Sequence, residues 1–294
     1  MSETQSDKTP GLSADEEQEV SHNQPPRAAV LHEIIRAQGD QELERTLAAL
    51  WWSALAAGLT MGLSLMAMGL LYARLPEGGS SQVIASLGYS AGFLAVILAR
   101  QQLFTENTLT AVLPLMTTPT LANLGRLLRL WSVVLLGNLA GTLLVAWVML
   151  ELPIFDSKTD VAFLDVGRKV MQNDISQMFA KGIVSGWMIA TMVWMIPSME
   201  HAKIWIILMI TYLMALGDFT HIVVGSVEVS YLVWAGDETW RAFWLAFALP
   251  TLAGNIVGGS FIFALISHAQ VRSDSGKPPS KLFKDTPPPR KPAD

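Results

Sequence analysis

The sequence predicts an all-α membrane protein with six transmembrane helices, built as two inverted three-helix repeats in which the second and fifth helices are broken. The first observation is composition: of 294 residues, 51% are hydrophobic and 15% are charged, whereas soluble globular proteins carry about 25% charged residues. With so little charge, much of the protein surface must face lipid. The other two observations are a set of long apolar segments, two of them interrupted, and a repeat of short motifs.

The apolar segments are of two kinds. A helix needs about 20 apolar residues to cross a bilayer, and four segments meet this requirement without interruption: 46–71, 122–150, 175–198 and 242–267. Segments 82–116 and 203–234 are interrupted, the first around Arg100 and the second around Asp218. Backbone groups at membrane depth must be satisfied by the protein itself, so a break there must border a protein-lined cavity. Paired broken helices are typical of transport sites.

Short motifs recur in the same order in the two halves of the chain. They are Gly58-xxx-Gly62 with Gly182-xxx-Gly186, Leu103-Phe104-Thr105 with Phe219-Thr220-His221, and Gly137-Asn-x-x-Gly141 with Gly254-Asn-x-x-Gly258. Three crossings are an odd number, so the second half of the chain would be inverted relative to the first.

The predicted transmembrane domain, 46–268, is flanked by polar segments. We expect a disordered acidic tail over 1–27, an amphipathic helix on the membrane surface over 28–45, and a disordered Pro/Lys-rich tail over 269–294. Six crossings would place both tails on one side. Basic residues favour that side, so the positive-inside rule puts both termini in the cytoplasm and the protein in the inner (plasma) membrane.

Several classes of function are disfavoured by the sequence. It contains no cysteine, which excludes disulfides and thiol chemistry, and neither tail has the dense basic run expected of nucleic-acid binding. It also lacks the motifs of metalloproteases, serine hydrolases and P-loop ATPases. We therefore predict no cofactor, no metal site and no enzymatic activity. The alternatives left open are an aquaporin-like pore for small neutral solutes and a membrane-embedded enzyme or redox subunit.

The motifs at the breaks, together with the two Gly-Asn-x-x-Gly motifs, resemble those of the formate/nitrite transporter family over about residues 30–268. Several positions around the pore depart from that family. Gln102 and Thr220 replace acidic residues, and the other departures are at Arg100, Glu106, Gly186 and near Gly225. The chain is therefore identified as a divergent member. The resemblance implies an aquaporin-like fold, a homopentamer in the lipid bilayer, and one pore per protomer for a small monovalent anion such as formate or nitrite.

By motif, the resemblance makes His221 the central pore histidine and Thr105 the threonine opposite it. It also assigns residues to a constriction of the pore: Tyr89, Phe93, Leu103, Phe104 and Phe219. Lys169 would be the lysine of the vestibule. Imidazole titrates near neutral pH, so His221 would share a proton with the anion and lower the cost of removing the anion from water. Proton-linked anion transport is the resulting hypothesis; the alternative is a packed histidine bonded to a neighbouring helix.

The remaining polar residues near the breaks admit two interpretations each. Thr105 and Asn107 would hydrogen-bond the anion, or Thr105 would only cap a half-helix. Charged groups in the membrane are costly unless paired, so Arg100, Glu106 and Asp218 would form a buried ion pair that joins the breaks, or a filter for a different anion. Asn138 and Asn255 are expected to bond across helices, with Gly141 and Gly258 allowing close approach.

Overall fold

The structure is a computed structural model that describes residues 13, 15–16, 26–76 and 78–275. The expected tails over 1–27 and 269–294 lie largely outside the described residues, although the last helix continues past 268 to Ser275. Throughout the described part of the chain the secondary structure is helical, and no strand is present there.

The helices follow one another closely along the chain. The α-helices are α1 (Ala28–Glu44), α2 (Leu47–Arg74), α3 (Gly79–Ala85), α4 (Ser90–Leu98), α5 (Phe104–Asn107), α6 (Val112–Thr117), α7 (Leu121–Glu151), α8 (Ser157–Met171), α9 (Ile175–Met195), α10 (Lys203–Leu216), α11 (Ile222–Trp234), α12 (Trp240–Ala242), α13 (Leu249–Ile256) and α14 (Leu265–Ser275). Short 3₁₀ turns cover Ser86–Tyr89, Ile196–Ser198 and Glu200–Ala202, and π-helical segments cover Phe243–Ala248 and Val257–Ala264.

Five helical stretches in the described residues are long and apolar enough to cross a membrane: Leu47–Arg74, Gly79–Leu98, Leu121–Glu151, Ile175–Ser198 and Trp240–Ser273. Two further apolar helices, α10 and α11, are shorter than such a span. The chain is thus an all-helical membrane protein.

Side-chain caps mark where several of the long helices begin. Thr46 accepts a hydrogen bond from the backbone N–H of Ala49 ahead of α2, and Thr120 does the same for Asn123 ahead of α7. Asp174 forms a reciprocal capping box with Gln177 at the start of α9. Such caps satisfy backbone donors that have no partner inside the helix, so the polar residues between apolar segments fix the helix starts.

Glycines let two helix pairs pack at backbone distance. A Cβ atom added to Gly141 of α7 would lie 2.4 Å from the Leu55 carbonyl oxygen of α2. A Cβ added to Gly258 would lie 2.0 Å from the Ile183 carbonyl oxygen of α9. Both distances are too short for any larger residue. Helices α2 and α7 in one half therefore meet in the same way as α9 and the stretch Trp240–Ser273 in the other. We call this stretch the last apolar helix.

Two hydrogen bonds hold the amino-terminal helix α1 against the rest of the molecule. His32 Nε2 lies 2.9 Å from His268 Nδ1 of α14, and Arg129 of α7 donates a hydrogen bond of 2.6 Å to the Leu43 carbonyl. His32 is 6% exposed. Burial, and then the nearby His268, lower the pKa of His32 below its ordinary value. The helix is therefore fixed by a contact that requires a neutral histidine.

This contact predicts that acid destabilises the protein. In the unfolded chain His32 titrates near about pH 6.5, whereas the folded state binds that proton only at lower pH. The unfolded state therefore gains a proton first as the pH falls below about 6.5, and stability decreases. Thermal unfolding of purified protein between about pH 5 and about pH 8 should show this loss. The substitution His32→Gln, which cannot titrate, should flatten it, and equal slopes for both proteins would contradict the prediction.

Candidate functional site

Two unwound segments interrupt the apolar helices. The first break covers residues 99–103, between α4 and α5, and the second covers 217–221, between α10 and α11. Each contains a non-glycine residue in the left-handed region, Arg100 with φ 53° and Asp218 with φ 51°. Residues other than glycine adopt this conformation rarely. The two breaks therefore make the same uncommon turn, 118 residues apart.

One asparagine satisfies the backbone of the first break. Asn138 of α7 accepts a hydrogen bond of 2.9 Å from the backbone N–H of Phe104. Its amide group donates to the carbonyls of Gln102 and Ala54, each at 2.8 Å. The side chain is fully buried, and it links the break to the crossing helix α2.

A second asparagine does the same for the other break. Asn255 of α13 accepts a hydrogen bond of 3.0 Å from the backbone N–H of Ile222. Its amide donates to the carbonyl of Thr220 at 3.2 Å and to that of Gly182 in α9 at 2.9 Å. Unpaired backbone groups in an apolar interior are costly, so these two amides make both breaks possible.

His221 caps α11 and faces the opposite break. Its Nδ1 accepts hydrogen bonds from the backbone N–H groups of Val223 and Val224, both at 3.3 Å. A neutral ring that accepts at Nδ1 carries its hydrogen on Nε2. Nε2 lies 2.8 Å from the Thr105 hydroxyl oxygen, which therefore accepts that hydrogen. The hydroxyl hydrogen of Thr105 remains available to a second acceptor.

Aromatic and aliphatic side chains close the passage around this pair. The ring of Phe93 packs edge-on against His221 with centroids 5.1 Å apart, and Tyr89 lies 5.4 Å from Phe93. Leu103, at the first break, is fully buried. Phe104 lies next to it in sequence, but its ring packs against Trp131 of α7, 5.7 Å away. The surroundings of this pair are therefore largely apolar.

A cavity of about 630 Å³ leads to His221 from the end of the molecule opposite α1. We call it the vestibule. Tyr89, Phe219 and Lys169 line it, and His221 lies on its wall. Of the residues expected in the pore, these four share one space, whereas the side chain of Asn107 lies on the α1 side, where it donates to Gln102 Oε1 at 3.0 Å.

The prediction of an ion pair among Arg100, Glu106 and Asp218 was wrong, because the structure does not bring these side chains together. Arg100 is exposed. Asp218 instead pairs with Lys169 of α8 in the vestibule. Glu106 lies on the α1 side, where its charge interacts with those of Lys203 and Glu42. The two breaks face opposite ends of the molecule, so their charged residues meet different neighbours.

A second ion pair lies at the vestibule end. Arg168 of α8 donates a hydrogen bond of 2.6 Å to Asp237 and one of 3.1 Å to Asp165. These bonds raise the pKa of Arg168, and the bond from Arg168 lowers the pKa of Asp237. Arg168 thus links α8 to the loop that carries Asp237.

On the α1 side, a polar chain joins α1 to the first break. Gln102 donates to Glu42 Oε2 at 2.7 Å, and Arg45 donates to the same oxygen at 3.0 Å. A carboxylate of α1 thus stands next to Gln102, and it is neutralised by an arginine.

Glu228 is a further carboxyl group of the vestibule that was not predicted from the sequence as a site residue. This carboxyl group lies in α11, is 4% exposed and lines the vestibule. The signal was available, since an acidic residue within an apolar run of a membrane protein is a functional candidate by default. Among the described residues, no group of three or more His, Asp and Glu side chains is placed to hold a metal ion.

The chain is similar to known transporters over nearly all of its described length. The profile of a family described as formate/nitrite transporter matches residues 29–269. The inner membrane protein YfdC of Escherichia coli (strain K12) is 58% identical over 250 residues, which cover 85% of this chain and 81% of that protein. A probable formate transporter of Methanothermobacter thermautotrophicus is 24% identical over 216 residues, 67% of this chain and 78% of that protein.

A solved structure shares the fold. The structure described as a pentameric formate channel with formate bound superposes with a TM-score of 0.67 and 20% sequence identity. The match covers 77% of this chain and 98% of that one. At this level of identity, the likeness establishes the helical architecture alone.

The two buried asparagines predict a sharp loss of stability on substitution. Asn138→Leu removes the partner of the Phe104 N–H and of the Gln102 carbonyl at the break, and each buried unsatisfied group costs about 1–3 kcal/mol. Thermal unfolding in detergent should show a loss of several kcal/mol, to the point of failed assembly. Asn123→Leu is the matched control, because the Asn123 amide bonds only the Thr118 carbonyl at the surface. Equal stability of both variants would contradict the role assigned to Asn138.

For Arg100, which is exposed and has a left-handed backbone, we predict that substitution by glycine does not lower the stability. Arg100→Gly removes a left-handed side chain, whose conformational cost is about 1 kcal/mol, and breaks no ion pair. The unfolding temperature should stay the same or rise. Arg100→Val should lower it, because a β-branched residue tolerates positive φ poorly. A loss of about 3–5 kcal/mol in the glycine variant, as expected for a broken buried ion pair, would restore the rejected pairing.

Proposed function

Because the chain belongs to the formate/nitrite transporter family, we propose that it is a membrane channel for small monovalent anions such as formate or nitrite. It is a transport protein and not an enzyme. The observation that carries the proposal is the 2.8 Å contact between His221 and Thr105, which joins the two breaks where the vestibule ends.

The proposed membrane topology has six crossings, in two inverted three-helix halves. The stretch Gly79–Leu98, the first break and the short helices α5 and α6 form the second crossing. Helices α10 and α11 with their break form the fifth. Support comes from the matched geometry, namely the similar φ angles of Arg100 and Asp218 and the equivalent bonds of Asn138 and Asn255. By the positive-inside rule, the α1 end is the cytoplasmic side and the vestibule is the outer side.

In this proposal the passage lowers the cost of dehydrating an anion. The N-termini of α11 and of the helical segment that begins at Phe104 both start at the breaks, and helix N-termini favour negative charge. The Thr105 hydroxyl adds a neutral hydrogen-bond donor. The walls beside it are apolar, so the anion would exchange water for these few donors.

Proton sharing with His221 requires the ring to move. Its Nδ1 is occupied by two backbone N–H donors and its Nε2 already carries the hydrogen directed at Thr105. A second proton on Nδ1 would meet those donors and break the cap of α11. We therefore expect protonated His221 only when the ring leaves the cap, a movement that would also displace Phe93 and open the passage.

We further propose a homopentamer in the inner membrane. The relative from Escherichia coli is named an inner membrane protein and the structural neighbour is described as pentameric. Large apolar side chains remain exposed on the single chain, among them Trp52 at 66%, Trp205 at 71% and Ile266 at 63%. Exposed apolar side chains in this number suit contact with lipid or with neighbouring subunits.

The experiment is formate and nitrite uptake into proteoliposomes, with protein-free liposomes as background. His221→Asn should fold, because asparagine is a good N-cap residue, yet it offers no titratable group. We expect wild-type uptake well above background and uptake by the variant at least about 100-fold lower, the lower end of the usual scale for loss of general acid–base function.

Two results would contradict the proposal. Wild-type rates and pH dependence in His221→Asn would remove the proton role of this histidine. Wild-type vesicles that pass neither anion but swell rapidly in glycerol would indicate a pore for neutral solutes instead.

A further inference from the structure

A second ionisable group lies along the passage, and the mechanism above does not use it. Glu228 follows His221 by seven residues in α11, about two helical turns, so both side chains lie on the same face. Side chains of a helix lean toward its N-terminus, which for Glu228 is the direction of His221. Accordingly, Glu228 Oε2 lies over Gly225, 3.8 Å from where a Cβ atom of that glycine would be.

The carboxyl group of Glu228 has no hydrogen-bond or ion-pair partner in the described part of the chain. The side chain is 4% exposed, and it borders the vestibule together with His221. It is thus a nine-tenths buried polar group that faces an open space without a protein partner. Such a group points to a ligand in that space.

The other titratable groups around the vestibule do not neutralise Glu228. Lys169, the cation that acts on it from α8, is paired with Asp218. Lys158 and Asp165, also of α8, line the same cavity with opposite charges.

The groups from the remaining elements are neutral at physiological pH. Tyr72 of α2 and Tyr89 of the 3₁₀ turn line the vestibule with His221, and Phe247 of the last apolar helix carries no charge. An ionised Glu228 would therefore place an uncompensated negative charge in front of His221.

We propose that Glu228 selects what passes from the vestibule to His221: its protonated carboxyl donates a hydrogen bond to a small monovalent carboxylate or nitrite, and its ionised form excludes that anion. The inference rests on the proposed anion channel and adds an outer specificity residue to it. The proton comes from water in the vestibule, stays on Glu228 while the anion is bound, and returns to water when the anion has moved on. No bond of the anion is broken.

The test compares wild type, Glu228→Gln and Glu228→Asp in proteoliposomes, with formate uptake measured at equal pH on both sides between about pH 5 and about pH 8. Glutamine has the shape of a protonated glutamate and never ionises. Wild-type uptake should fall about ten-fold toward high pH, a typical strength of linkage between two ligands. Glu228→Gln should lose this fall and exceed the wild type at the alkaline end, while Glu228→Asp should keep the fall.

The outcomes separate this inference from the proposed function. Absence of wild-type uptake of any tested anion would overturn the anion channel and this inference together. An active wild type whose pH profile is unchanged by Glu228→Gln would overturn only the role of Glu228. An assembled but inactive Glu228→Gln beside an active Glu228→Asp would also overturn it, as would wild-type methylammonium uptake lost in the glutamine variant, because either result requires the ionised carboxylate.

Discussion

Two asparagine amides allow this chain to be unwound inside an apolar bundle. Each break leaves backbone donors and acceptors where neither water nor a regular helix can satisfy them. Asn138 and Asn255 each bond a carbonyl inside a break, the backbone N–H directly after it, and a carbonyl of the crossing helix. Because their amides are fully used, the breaks have fixed positions, and the half-helices that follow begin at fixed points near each other.

The position of His221 follows from this arrangement. The residue stands at the N-cap of α11, so its ring is oriented by the helix it caps as well as by Thr105 across the passage. Phe93 packs edge-on against the ring, and the vestibule borders it as well. The same contacts that place the imidazole in the passage also keep it neutral and the passage closed. Opening and protonation are therefore expected to be one event, because both require the ring to leave its cap.

Local patterns in the sequence predicted the features that depend on near neighbours. Arg100 and Asp218 interrupt apolar runs, and the Gly-Asn-x-x-Gly motifs identified residues that pack helices together within each half. Contacts between distant elements were not predictable in this way. The partner of Asp218 is Lys169, 49 residues away, and Arg100 is exposed. Glu228 is a carboxylate within an apolar run, a local pattern that does mark a functional candidate.

The acidic groups differ between the two ends of the passage. This difference bears on which end responds to pH. Gln102 and Thr220 stand where the resemblance would place acidic residues, and carboxylates reach the passage from other positions. On the α1 side that carboxylate is Glu42 of α1, which is bonded to Gln102 and neutralised by Arg45. On the vestibule side it is Glu228, which has no such partner among the described residues. In the proposed channel, an anion that arrives from the α1 side meets a compensated charge, whereas one that arrives from the vestibule meets a carboxyl group whose charge depends on pH. We therefore expect control by protons at the vestibule end, independently of any protonation of His221.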